Sequence, residues 1–159
     1  EQHVFGDPRA SCFHARHALE RLVTRVYKVD KQLRPPKTTN LDGYLSEPAF
    51  RDLVPEAVWQ KAEYIRLAGN KAVHGKKMPT PETALCIVRE LYHVLYWAGR
   101  TYLRKGAEDL QGKTYDDSLV PMGALASRLA AKMAETLERG GPPPQPSGLA
   151  AIIPMFTGD

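Results

Sequence analysis

The chain has 159 residues, of which 43% are hydrophobic and 25% are charged, a composition typical of a globular protein and unlike that of disordered or fibrous chains. This length accommodates one domain of ordinary size with an appendage and excludes two large domains. No apolar run is long enough for a membrane span or a signal peptide.

The net charge of +4 is concentrated at one end of the chain. Residues 1–37 contain eight Lys or Arg and four Asp or Glu, so they carry the entire excess, an asymmetry that suggests an anionic partner. Cys12 and Cys86 lie at apolar positions of helical patterns, which favours reduced thiols and a cytoplasmic location. Because the first residue is Glu1 rather than methionine, we expect a piece of a longer chain.

Helical patterns begin near the start of the chain. Asp7 followed by proline predicts the N-terminus of a first helix, whose apolar stripe continues until it ends near Asp30. Asn40 is the predicted cap of a shorter helical piece over residues 41–53, with Pro48 as its potential break.

Three further helices follow along the chain. The first begins at Pro55 and is predicted to end at a left-handed Gly75. The second opens at Thr80 and closes at Gly106. The third is an amphipathic segment over residues 119–137.

The predicted fold is therefore an all-α bundle of four to five helices without a substantial sheet. Its core is expected to contain Leu19, Leu22, Ile65, Leu91 and Leu95. Gly69 lies on the buried line of its helix, where glycine weakens the helix, so we expect a neighbouring helix to approach closely there.

The C-terminal region divides by composition. Residues 1–139 are assigned to the bundle and residues 140–148, which are rich in Gly and Pro, to a linker. Residues 149–159 resume an apolar pattern, and we interpret them as the lead-in to a further domain.

A basic face is predicted on the first helix. At 100° per residue five side chains lie opposite its apolar stripe, namely His14, His17, Arg21, Arg25 and Lys28. Such a row suits a phosphate backbone, although solvated surface and a protein contact are the alternatives. His14, His17 and Glu20 could in principle meet a metal, but no fourth ligand is evident, and neither a metal nor a cofactor is predicted.

A second constellation consists of Arg66, Asn70 and His74, spaced four residues apart on one helix. A histidine beside an arginine could cleave RNA, because the imidazole moves the 2′-hydroxyl proton and the guanidinium stabilises the phosphorane. The favoured alternative is structural: Asn70 and His74 hydrogen-bond into the loop after Gly75.

Four segments carry a resemblance to a known family: residues 13–20, 40–45, 65–74 and 89–98. Together they resemble the HEPN-type helical domain at the N-terminus of type I restriction enzyme R subunits and related helicase-nucleases, over about residues 7–105. Arg66, Gly69, Asn70 and His74 belong to the most distinctive segment. The resemblance implies a bundle that precedes a nuclease domain and an ATP-driven DNA translocase.

The resemblance also bears on catalysis. Active HEPN ribonucleases place their arginine and histidine closer together than Arg66 and His74, which are separated by seven residues. We therefore expect a non-catalytic N-terminal module of a restriction or helicase-type DNA-processing protein, serving assembly or nucleic-acid contact, with no catalytic residue of its own. The parent chain would be an ATP-dependent restriction endonuclease or helicase.

Two alternatives stay open at this point. One is a dimeric, metal-independent HEPN ribonuclease that uses Arg66 and His74, and the other is a bundle that binds only proteins. The expected partners are DNA or RNA on the basic face, other domains or subunits of a restriction complex, and a second copy of the chain. No membrane partner is expected.

Overall fold

The computed structural model describes residues 1, 3–103 and 105–120. Over these residues the chain forms five α-helices and two short 3-10 helices, Glu108–Leu110 and Asp117–Leu119. No strand occurs in the described part, so the predicted all-α bundle is confirmed. The α-helices are α1 Pro8–Val29, α2 Leu41–Ser46, α3 Pro48–Leu53, α4 Glu56–His74 and α5 Pro81–Tyr102.

Side-chain caps fix where three of the helices begin. The side chains of Asp7, Asn40 and Thr80 each accept a backbone N–H bond from three residues further on, at 2.9, 2.8 and 3.3 Å. Each cap satisfies a donor that the first helical turn leaves without an intrahelical partner. Pro48 occupies the first turn of α3, and the predicted break there is confirmed as the boundary between α2 and α3.

The three long helices α1, α4 and α5 each pack against the other two, and α2 packs against α1 and α4. Five large side chains are completely buried at this junction, so the core draws on all four of these helices. They are Leu19, Leu41, Leu45, Ile65 and Ile87. A buried hydrogen bond also joins α1 to α2, since the Tyr27 hydroxyl donates to the carbonyl of Tyr44 at 2.8 Å.

The predicted core is confirmed in part. Leu19 and Ile65 are fully buried, whereas Leu22 and Leu91 are only half-buried. The prediction for Leu95 is wrong, since it is 42% exposed and Val94 is buried in its place. Neighbouring helical residues point 100° apart, and at this pair Val94 faces the interior while Leu95 is turned toward the surface.

The ends of α4 and α5 differ from those predicted at Gly75 and Gly106. Gly75 caps α4 with φ −75° and ψ 146°, which is extended backbone and not the expected left-handed conformation. Glycine is still required, because a Cβ at this position would lie 2.3 Å from the carbonyl oxygen of Lys71. α5 ends at Tyr102, before Gly106, and Gly106 adopts φ +83° in the turn that follows.

The predicted close approach at Gly69 is confirmed. A Cβ built on Gly69 would lie 2.7 Å from the Cβ of Arg16, so α1 crosses α4 at this position. Further along the same pair, Arg9 Nη2 donates to the carbonyl of Gly75 at 3.4 Å. Because residue numbers rise along α1 as they fall along α4, the two helices run antiparallel.

The remaining sequence predictions lie beyond the described residues. Leu119, the predicted start of an amphipathic helix, ends the 3-10 helix Asp117–Leu119 instead, and the rest of segment 119–137 beyond residue 120 lies outside the described part. The proposed linker 140–148 and the lead-in 149–159 lie outside it as well. None of the described helices combines the length and the apolar character that crossing a bilayer requires.

Candidate nucleic-acid interface

The five basic-face residues of α1 are all exposed, as the sequence predicts. Four of them, with Glu20 and Thr24, line a groove of about 550 Å³ on the outer side of the helix. The four are His17, Arg21, Arg25 and Lys28. His14 is not part of this groove; it lies at a separate cavity of about 290 Å³ between α1 and α5, beside His3.

Glu20 lines the same groove, so one acidic side chain lies beside the row of cations. Its charge is matched by Arg16, whose Nη1 lies 3.5 Å from Glu20 Oε2. Thr24 Oγ1 donates to the carbonyl of Glu20 at 2.8 Å, within the helix. Glu20, the acid in the groove, is therefore paired with Arg16, which does not line the groove.

The three strong cations of the row are not compensated inside the fold. Arg21, Arg25 and Lys28 form no ion pair with any residue from 1, 3–103 or 105–120. Unpaired cations that follow one helix face create a positive potential that attracts anions. This arrangement can bind successive phosphates, since each neutralised phosphate releases condensed counterions.

Arg66 is in a different electrostatic setting. Its Nε and Nη2 donate to the two carboxylate oxygens of Glu63 at 2.9 and 2.5 Å, and its Nη1 lies 3.1 Å from Asp42 Oδ1. The hydrogen bonds that Arg66 donates to the Glu63 carboxylate raise the pKa of Arg66 above its ordinary value. Only 15% of its side chain is exposed, so the guanidinium joins α2 to α4 and is not free to bind a phosphate.

Asn70 and His74 do not make the contacts expected of them. Neither side chain forms a hydrogen bond within the described residues, and His74 is exposed at the end of α4. The interpretation that they bind the loop after Gly75 is wrong for these residues. Arg9 makes the side-chain bond to Gly75 instead, because the antiparallel α1 brings its first turn to that loop. Arg66 and His74 are about two turns, or roughly 12 Å, apart along the helix.

A polar cluster between α4 and α5 was not apparent from the sequence. Lys61 Nζ donates to Glu90 Oε2, which also lies 3.4 Å from His93 Nδ1. Burial alone would raise the pKa of Glu90, but the hydrogen bonds from Lys61 and His93 outweigh burial and lower it. Such an ion pair on two helices stabilises their packing, and only the fold reveals it.

No group of three or more ligating side chains capable of holding a metal occurs in the described part of the chain. His14, His17 and Glu20 therefore do not form a metal site there. Glu20 is engaged with Arg16, and His14 lies with His3 at a different cavity. Cys12 and Cys86 are both free thiols, and burial raises the pKa of Cys12.

The fold and this face define an all-α bundle in which one side of α1 carries three cations that form no ion pair with the described residues. Over residues 1–134 the chain matches the family model described as a domain of unknown function, DUF4145, and it belongs to that family. No curated protein and no solved structure matches it. The family description assigns no activity, so the resemblance to HEPN-type domains stays a prediction.

Proposed function

We propose that this bundle is a non-catalytic module that contacts nucleic acid within a larger restriction or helicase-type DNA-processing protein. The observation that carries the proposal is the groove with Arg21, Arg25 and Lys28, three exposed cations without ion-pair partners in the described residues. Backbone phosphates are the anions that such a regularly spaced row matches best. The N-terminal position of the bundle and its attachment to a DNA translocase are parts of the same proposal, supported by the sequence resemblance.

A ribonuclease role is less well supported than a binding role. Cleavage requires a guanidinium free to stabilise the developing charge, within reach of the same phosphate as the histidine. Arg66 is held by Glu63 and Asp42. The proposal therefore includes no catalytic residue. A cytoplasmic setting is also part of it, because both cysteines are free.

The test is binding of labelled DNA and RNA by the full chain over a series of salt concentrations. Replacing Arg21, Arg25 and Lys28 together with Glu should weaken binding and flatten the dependence of log K on log salt by about 2–3 units, at roughly 0.7–0.9 per phosphate contact. The matched control replaces three exposed lysines elsewhere with Glu, an identical change in net charge. These are Lys76, Lys105 and Lys113.

Binding that falls equally in the control variant would reflect net charge alone and would contradict the proposal. The same would hold if the wild-type chain bound neither DNA nor RNA at low salt, and a protein-binding role would then be favoured. A cleavage assay without metal completes the experiment. Cleavage that His74→Ala abolishes would establish the ribonuclease alternative.

A further inference from the structure

Phe13 is 45% exposed and precedes His17, the first residue of the cationic groove along α1. It is on the outer side of α1, one helical turn before His17. The ring centroid of His17 is 6.3 Å from that of Phe13, with the two planes only 4° apart, and the His14 ring meets Phe13 edge-on at 5.5 Å. Phe13, His14 and His17 thus form an aromatic platform.

The platform continues directly into the groove, because His17 belongs to both. An exposed phenylalanine gains nothing from contact with water, and His17 links this one to the groove that Arg21, Arg25 and Lys28 line. Proteins that bind single-stranded nucleic acid combine these two features, with cations that follow the backbone and aromatic rings on which bases stack.

We infer that Phe13 stacks on an unpaired base, and that the ligand of this face is therefore single-stranded DNA or RNA. The adjoining phosphates of the same strand then lie along Arg21, Arg25 and Lys28. In a duplex the flat faces of the bases are covered by their neighbours, so a duplex would offer Phe13 nothing to stack on. The inference rests on the proposed nucleic-acid contact and specifies the class of ligand.

A protein segment is the competing occupant of the platform. It would have to place an apolar side chain on Phe13 and acidic side chains along the adjoining cations. A polynucleotide meets both requirements with its repeating unit of base and phosphate, whatever its sequence. The structure therefore favours a strand that is recognised by stacking and charge, with little dependence on base identity.

The experiment compares two oligonucleotides with equal numbers of phosphates, oligo-dT and an abasic strand that lacks bases. The full wild-type chain should bind oligo-dT about tenfold more tightly than the abasic strand, the advantage expected from stacking of one base. Phe13→Ala should remove this difference and leave the salt dependence unchanged, because stacking releases no counterions. Phe13→Trp should retain the difference.

Two further variants separate aromatic stacking from general apolar contact. Phe13→Leu keeps an apolar side chain but lacks an aromatic face, so it should lose the preference as Phe13→Ala does. Leu67→Ala removes a side chain that is 52% exposed on α4, and it should bind as the wild type does.

The possible failures are distinguishable. Equal binding of oligo-dT and the abasic strand by the wild type, or a preference that survives in Phe13→Leu, would overturn the stacking inference. In either case the charge-reversal experiment would still measure the nucleic-acid contact itself. Absence of all binding would overturn the proposed function and this inference together.

Discussion

The cations of this bundle fall into two groups that differ in their partners. On α4, Lys61 and Arg66 are bound by carboxylates of α2, α4 and α5. On the outer side of α1, Arg21, Arg25 and Lys28 are exposed and form no ion pair with the described residues. A compensated cation contributes to stability, whereas an uncompensated one is available to an external anion. The ion-pair partners of a cation, and not the number of basic residues, therefore separate the cations that support this fold from those exposed to an external anion.

The largest effect on stability is expected where α1 packs against α4, on the side opposite the exposed cations. Gly69→Leu should lower the free energy of unfolding by about 3 kcal/mol, because the new side chain meets Arg16 where a Cβ alone would approach to 2.7 Å. Urea denaturation measures the change. Gly6→Leu is the matched control, since nothing lies within 4 Å of a Cβ there. A stable Gly69→Leu protein would mean that the two helices are not in close contact.

The compensated arginine should matter nearly as much for stability. Arg66→Ala removes bonds to Glu63 and Asp42 and leaves the half-buried Glu63 carboxylate without its partner. We expect a loss of about 2 kcal/mol, again measured by urea denaturation. If this variant kept full stability but lost RNA cleavage, Arg66 would be catalytic and the division between the two groups would be wrong.

Glu90 extends the same test to pH. Because its pKa in the folded protein is lowered from 4.5, its ionised form stabilises the fold above that pH, and the contribution disappears as pH falls below about 4.5. Glu90→Gln should therefore cost about 1 kcal/mol at pH 7. Thermal denaturation of both proteins should converge in acid. A constant difference at every pH would exclude the ion pair with Lys61 as its cause.

The smallest effect on stability is expected on the outer face of α1. Arg25→Ala should change the free energy of unfolding by no more than about 0.5 kcal/mol, while it reduces the salt slope of nucleic-acid binding by about 0.7–0.9. Denaturation and binding measured on one preparation check both expectations. A large loss of stability would place Arg25 in the structural group.

Local features of this fold were predictable from the sequence. The caps at Asp7, Asn40 and Thr80 depend on atoms within three residues of one another, and the close contact at Gly69 follows from glycine on a buried line. The distinction between Val94 and Leu95 was not predictable. Apolar periodicity defines a broad face but does not say which of two adjacent residues the neighbouring helices cover.

For the candidate site, exposure of the row was predictable and its partners were not. Helical angles place His17, Arg21, Arg25 and Lys28 opposite the core, as the structure confirms. The partner that occupies Arg66, Asp42, lies on another helix, and such pairings depend on the tertiary fold. The helical angle also places Phe13 beside His17 on the outer side of α1, so its exposure was predictable, whereas the arrangement of its ring against those of His14 and His17 was not.

Side-chain hydrogen bonds join both ends of α1 to other elements, which lowers the entropic cost for an anion that binds its outer face. Arg9 holds the first turn to Gly75, and Tyr102 of α5 donates a hydrogen bond at 2.9 Å to Asp30, which follows the last turn. A helix held at both ends keeps Arg21 and Lys28 at a fixed interval of about 10.5 Å along its axis. A ligand that binds them need not order the backbone, so the entropic cost of association is limited to side chains and to the ligand itself.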